Sequence, residues 1–119
     1  MSKNLLKFLQ IINLQIKIIM ALEIKEEHGI LKIIGTLNTK TSLLATNHMR
    51  KLLDIKDKML VSLEEVKFAD DSAIFNFETL YLEAINLNKI LVLFGLENKS
   101  IKDTLKRTNT NYIFSPDRE

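Results

Sequence analysis

The sequence contains no cysteine, which rules out a disulfide framework and any thiolate-held metal. Its two histidines, His28 and His48, lie far apart in the chain, too few for a zinc site, which needs several ligands at once. His28 falls among turn residues and is expected to be solvated, and His48 falls on a helix flank at the edge of a core. No nucleophile–base pair, metal-ligand set or glycine-rich phosphate loop is present. An enzyme is therefore disfavoured, and no cofactor or metal is expected. Lys and Arg form no cluster interleaved with aromatics, so nucleic acid finds no electrostatic footprint. Internal repeats and low-complexity runs are absent as well.

What is present suits one compact domain: 119 residues, of which 46% are hydrophobic, enough to bury a single core. The formal net charge of +2 is unevenly placed. Lys3, Lys7 and Lys17 precede the first acidic residue, Glu23; of seventeen Lys and Arg, fourteen then remain against fifteen Asp and Glu, so the body carries −1. Residues 1–19 differ in character from everything after them. Leu5, Leu9, Ile12, Ile16 and Ile19 recur at helical spacing, the pattern of an amphipathic helix lying on a membrane or on a partner. Lys7, Gln10, Asn13, Gln15 and Lys17 interrupt a stretch already short for a bilayer, so no membrane span is expected, and no A-x-A cleavage site follows. Three readings of this extension stay open: a mis-set start with the protein beginning at Met20, a helical appendage, or a targeting peptide.

From Met20 to Phe114 strand and helix patterns alternate. Leu22 and Ile24 alternate with Glu23 and Lys25, Glu27-His28-Gly29 supplies turn chemistry, and Ile30 to Ile34 returns as a second strand, which makes an antiparallel hairpin. Gly35 to Thr41 reads as a polar loop in which Thr39 or Thr41 caps a helix to about Leu53, with Ala45, Met49 and Leu52 inward. Met59 to Leu63 is a strand. Ser72 to Leu87 places Ala73, Phe77, Leu80, Ala84 and Leu87 on one apolar stripe. Ile90 to Phe94 is an unbroken apolar run, the signature of a strand buried on both faces. Ser100 and Asp103 form a capping-box signal for a short helix to about Arg107, Tyr112-Ile113-Phe114 suits a last edge strand, and residues 115–119 read as a frayed tail. The fold class is α/β, a mixed sheet with helices packed on it in the order β-β-α-β-α-β-α-β.

The run Val66-Lys67-Phe68-Ala69-Asp70-Asp71-Ser72-Ala73-Ile74 joins an apolar strand to an apolar-striped helix. A helix start carries unpaired N–H groups and about half a positive charge, so Asp or Ser there caps the helix and an added phosphate is strongly held. The order E-[ED]-[VL]-x-F-x-D-x-S-[GA]-[IL] resembles the phospho-acceptor loop of STAS domains, the anti-sigma factor antagonist family. Gly35-Thr36-Leu37-Asn38 stands at the family's G-x-[LI]-[DN] step, and the resemblance covers residues 20–114. Met20-Ala21-Leu22-Glu23-Ile24 also begins as many small bacterial members do.

The resemblance implies a cytoplasmic, non-catalytic regulatory module. In the family, the unphosphorylated antagonist docks on an anti-sigma kinase of ATPase-like fold, and phosphorylation of the serine after the aspartate breaks that complex. Carried over, Asp70 matches the family aspartate, Asp71 occupies the acceptor position, and Ser72 matches the next small hydroxyl residue. Asn38 and Thr39 lie in the neighbouring docking loop, and bulky Phe75 stands where the family has a small residue. Asp71 cannot become a phosphoserine, and the usual glycine is Ala73. The alternative is a structural STAS subunit of a lipid-transport or membrane-transporter assembly, which needs no acceptor serine. The plain reading of Asp70 and Asp71 is helix capping, worth about 1 kcal/mol, and that of Asn38 is a turn residue. Because helices are expected to cover the sheet, residues 1–19 find no berth, and a chain starting at Met20 is expected to keep its thermal midpoint; a loss of several degrees would place them in the core.

Overall fold

The computed structural model describes residues 22–116, so the expectations for residues 1–19 and for the end of the tail lie outside the described residues. Four strands, β1 (Leu22–Glu27), β2 (Ile30–Leu37), β3 (Lys58–Ala69) and β4 (Ile90–Phe94), form one mixed sheet in the order β1-β2-β3-β4. Three helices, α1 (Thr39–Leu53), α2 (Asp71–Asn86) and α3 (Lys99–Thr108), pack on it. The architecture is α/β in the order β-β-α-β-α-β-α.

The β1–β2 hairpin closes with Glu27 opposite Ile30. His28 and Gly29 both take positive φ, 53° and 79°, the two-residue turn whose twist matches the flanking strands. The next three strands are parallel, β2 with β3 and β3 with β4. Each crossover steps one strand in the same direction, and right-handed crossovers of that kind place their helices on one face. The contacts agree: α1 packs beside α2 and α2 beside α3. Leu31, Ile33, Val61, Leu63, Leu91 and Leu93 point into this layer and meet Met49, Phe77, Leu80, Ile101 and Leu105 in the core.

Several local readings are corrected. The second and third strands run further than expected, to Leu37 and Ala69, because the parallel ladder satisfies polar backbone that read as loop. Asn38, rather than Thr39 or Thr41, caps α1, and Thr41 returns the bond from the third helical position. Leu87 is 58% exposed, since α2 ends before it. Ile90–Phe94 is not buried on both faces: Leu91 and Leu93 lie under the helices, while Ile90 is 54% exposed and Val92 half-buried on the opposite face. The expected last strand is a 3-10 turn, Asn111–Ile113, followed by a single parallel bridge between Phe114 and Leu93. Tyr112 fastens this turn to α2 by donating to Glu78 and by an edge contact with Tyr81. Ser115, expected in the tail, donates its N–H to the Leu93 carbonyl at 2.8 Å.

β3 outruns β4, whose last residue, Phe94, pairs with Ser62. Beyond that point α3 takes the place of a neighbouring strand. Asn98 Nδ2 donates to the carbonyls of Leu63 at 2.8 Å and Val66 at 2.9 Å, and Thr104 Oγ1 to that of Ala69 at 3.0 Å. Gly95 makes the turn at φ 125°, where a Cβ would lie 3.1 Å from the Leu63 carbonyl carbon, so only glycine lets the chain pass this close to β3. Asn98 also caps α3 by accepting from Ser100 N–H, in place of the expected Ser100–Asp103 box. Asn98→Ala should therefore cost about 2–3 kcal/mol, one cap plus buried carbonyls left without donors. Ser100→Ala should stay within about 0.5 kcal/mol. Urea denaturation of the two variants checks the order, which the capping-box reading reverses.

Candidate functional site

The β2–β3 ladder, after register shifts between Lys32 and Ile34 and between Gly35 and Thr36, runs to the last residue of each strand, with Leu37 opposite Ala69. It continues one residue further, as Asp70 N–H donates to the Leu37 carbonyl at 3.1 Å. Two helices therefore start side by side, α1 after Asn38 and α2 after Asp70. All six residues expected at the site lie at this end of the molecule or on the first two turns of α2.

Asn38 forms a complete capping box. Its Oδ1 accepts from Thr41 N–H at 2.9 Å, and its own N–H donates to Thr41 Oγ1 at 2.8 Å. Asp70 does the same work for α2, its Oδ1 accepting from Ala73 N–H at 2.8 Å and from Ser72 Oγ at 2.9 Å. Thr39 Oγ1 bonds Ser72 Oγ across the two helices. Because the Ser72 proton goes to Asp70, the Thr39 hydroxyl is the donor of that second bond, and a chain Thr39–Ser72–Asp70 locks the two helix starts together. Further along the same seam Asn76 Nδ2 donates to the buried Ser42 Oγ at 2.8 Å, and Arg50 Nε reaches Glu83 at 2.6 Å. The helices thus run parallel and are stitched from start to finish.

Asp71 is turned away from this chain and faces α3. Arg107 grips its carboxylate with Nη2 at 2.7 Å and Nε at 3.1 Å, the two-pronged geometry that favours arginine over lysine. The Arg107 hydrogen bond, helped by its charge, holds the Asp71 carboxyl below the ordinary carboxylate range, and Asp71 in turn raises Arg107. Both side chains are about half exposed, 46% and 57%, so water screens the pair and its value is specific geometry more than stability. Phe68, two residues before Asp70 in β3, and Phe75, four residues after Asp71 in α2, are 52% and 45% exposed. Large apolar side chains beside satisfied polar groups suit contact with another protein.

Arg107 and Thr104 were missed by the sequence reading. They sit more than thirty residues from Asp71 and Ala69, and their only local signal is a basic residue in the last turn of a helix, which is ordinary. Phe68 was part of the motif without being singled out. Among the described residues no group of His, Asp and Glu could hold a metal ion, and no helix is long and apolar enough to cross a membrane. A groove of about 460 Å³ lies between the far ends of α1 and α2, lined by Leu53, Leu80, Ala84 and Leu87 with Arg50 and Glu83 at its rim. It contains none of the six residues expected from sequence. No protein-family model matches the chain, and no curated protein matches it.

The pair has a pH signature. A carboxyl held low in the folded state stabilises that state fully above the ordinary carboxylate value and loses the contribution as pH falls through the lowered one. The Asp71 carboxyl resonance should therefore titrate below the ordinary carboxylate range, and Arg107→Gln should move it back up toward that range. A midpoint unmoved by Arg107→Gln would remove the guanidinium as the cause.

Proposed function

We propose that this chain is a STAS-like, non-catalytic protein-binding module of the anti-sigma factor antagonist type, with Asp71 in the phospho-acceptor position. The observation that carries the reading is the junction itself. Its carboxylates are spent on holding the fold, Asp70 on the α2 start and Asp71 on Arg107, while Phe68 and Phe75 stand out to solvent. Such a surface offers shape and apolar area to a partner rather than a free acid or base to a substrate. The partner is a protein, an anti-sigma kinase of ATPase-like fold in the closest family analogy, and the setting is cytoplasmic.

The Asp71–Arg107 pair changes what the acceptor position signals. A family phosphoserine adds roughly −1.5 to −2 of charge and repels the partner. Here the single negative charge of Asp71 is met by a cation from the same chain, so the surface keeps the character of the unphosphorylated, docking-competent state. The module binds constitutively and does not respond to the kinase. A second reading, a structural STAS subunit of a lipid-transport or transporter assembly, is favoured by the same feature, because a scaffold needs no switch.

Incubating the natural chain with an anti-sigma kinase and ATP should leave its intact mass unchanged, whereas Asp71→Ser should accept a phosphate. Phosphate on Ser72 of the natural chain would restore a regulated antagonist with its acceptor displaced by one residue. Phe75→Ala should weaken the captured partner by about 2 kcal/mol, roughly thirtyfold in Kd. Mass spectrometry of that partner separates the readings: a kinase-type ATPase supports the antagonist and a membrane transporter the scaffold.

A further inference from the structure

Helix α2 carries two stripes. Ala73, Phe77, Leu80 and Ala84 are buried in the core. On the outer side Asp71, Phe75, Glu78, Leu82 and Ile85 follow one another at spacings of four, three, four and three residues, a single seam of the kind that a second helix fills. Phe75 and Leu82 are 45% exposed and Ile85 is 53% exposed, and Tyr112, itself exposed, lies against the seam through its bond to Glu78. Thr79 and Asn86 stand beside the seam, and the Thr79 hydroxyl is turned back to donate to the Phe75 carbonyl. The charges of this helix have one sign, for no Lys or Arg occurs between Asp71 and Asn86. Of its three acids, Asp71 is met by Arg107 and Glu83 by Arg50, whereas Glu78 receives the hydroxyl of Tyr112. Among the described residues Glu78 has no ion-pair partner. The hydrogen bond to Glu78 holds the Tyr112 hydroxyl above the ordinary phenol range. The phenol is therefore an uncharged donor at neutral pH, which fixes the carboxylate in place and cancels none of its charge.

We propose that this seam docks an amphipathic helix of another protein, one that sets a lysine or arginine between apolar residues. The cation meets Glu78, and its apolar neighbours pack on Phe75, Leu82, Ile85 and the Tyr112 ring. This deepens the protein-binding reading above, on which it rests through Phe75, by naming the chemistry of the partner. Charge decides among the occupants. Two copies of the seam packed together would bury two carboxylates with no cation between them, an uncompensated desolvation. An anionic lipid surface or a nucleic acid would be repelled by Glu78 and offered no Lys or Arg on the seam in return. A partner cation, by contrast, finds a carboxylate that Tyr112 already holds in position, and preorganisation of that kind turns a charge pair into specificity. From Phe75 to Ile85 the seam runs about 15 Å, room for about three turns of a partner helix.

The probe is a pair of synthetic peptides of about two heptads, each cross-linked into a helix on its polar side. Both carry leucine at the a and d positions except at one inner position, which is lysine in the first peptide and glutamate in the second. The isotope-labelled full chain should bind the lysine peptide with amide shifts centred on Phe75, Glu78, Leu82, Ile85 and Tyr112, and the glutamate peptide at least about tenfold more weakly. Glu78→Lys should reverse that order, which a variant damaged in folding could not do. Leu82→Asp, at an exposed position, should abolish binding of both peptides with the thermal midpoint in place. Lysine-peptide binding by a chain whose Asp71→Ser variant accepts no phosphate would retire the antagonist reading and keep this one, and a phosphorylated Asp71→Ser variant without peptide preference would do the reverse. Equal affinity for the two peptides, shifts centred away from the seam, or no shift with either overturns the proposal. So does a dimer in sedimentation equilibrium that Leu82→Asp dissolves, which gives the seam to a second copy. Co-sedimentation with phosphatidylcholine–phosphatidylglycerol vesicles, lost in the same variant, gives it to a lipid surface and overturns the proposal as well.

Discussion

The parallel pairing of β2 with β3, carried to the last residue of each strand, is the constraint on which the rest of this structure depends. Leu37 opposite Ala69 sets the two strand ends level, and the next residues, Asn38 and Asp70, become the caps of α1 and α2. Two helix starts with positive ends and unpaired N–H groups then lie against each other. Their proximity is tolerable because Asp70 supplies negative charge and because the Thr39–Ser72–Asp70 bonds join them. A slip of one residue would part the caps and turn every core side chain of a strand to the wrong face.

Two breaks in that ladder are as consequential as its continuity. The register shifts between Lys32 and Ile34 and between Gly35 and Thr36 give β3 two extra residues and let it extend past β4. The exposed stretch of β3 needs donors for its carbonyls, and a third helix brings them on side chains, Asn98 and Thr104. That same helix delivers Arg107 to Asp71. The charge state of the candidate site is thus a consequence of how the fold solves an edge-strand problem, and neither residue of the pair is placed by its own neighbours in sequence.

Weighing the interactions separates stability from recognition. Ile33, Val61, Leu63, Phe77, Leu80 and Leu93 are fully buried, and burying each contributes about 1.5–3 kcal/mol. The half-exposed Asp71–Arg107 pair belongs to a class worth about 0–1 kcal/mol. The core would hold without the pair. What the pair determines is the electrostatic character of the surface at the start of α2, where a full extra charge would otherwise stand.

Local physics was enough for the sequence to determine the hairpin at His28-Gly29, the alternation of strand and helix, the stripe of Ala73, Phe77, Leu80 and Ala84, and the capping role of Asp70. Each follows from residues within one turn or one strand, whose periodicity and backbone preferences act without knowledge of the rest. Tertiary structure alone decided which end residue capped α1 and α3, how far β2 and β3 extended, and that Tyr112-Ile113-Phe114 closed as a turn with one bridge. For the caps, competing residues differ by about 1 kcal/mol, little enough for long-range hydrogen bonds such as those of Asn98 to decide between them. The same holds for the site. Asn38, Thr39, Asp70, Asp71, Ser72 and Phe75 could be named along the chain, but Arg107 could not, because its partner is set by where β4 stops and α3 begins.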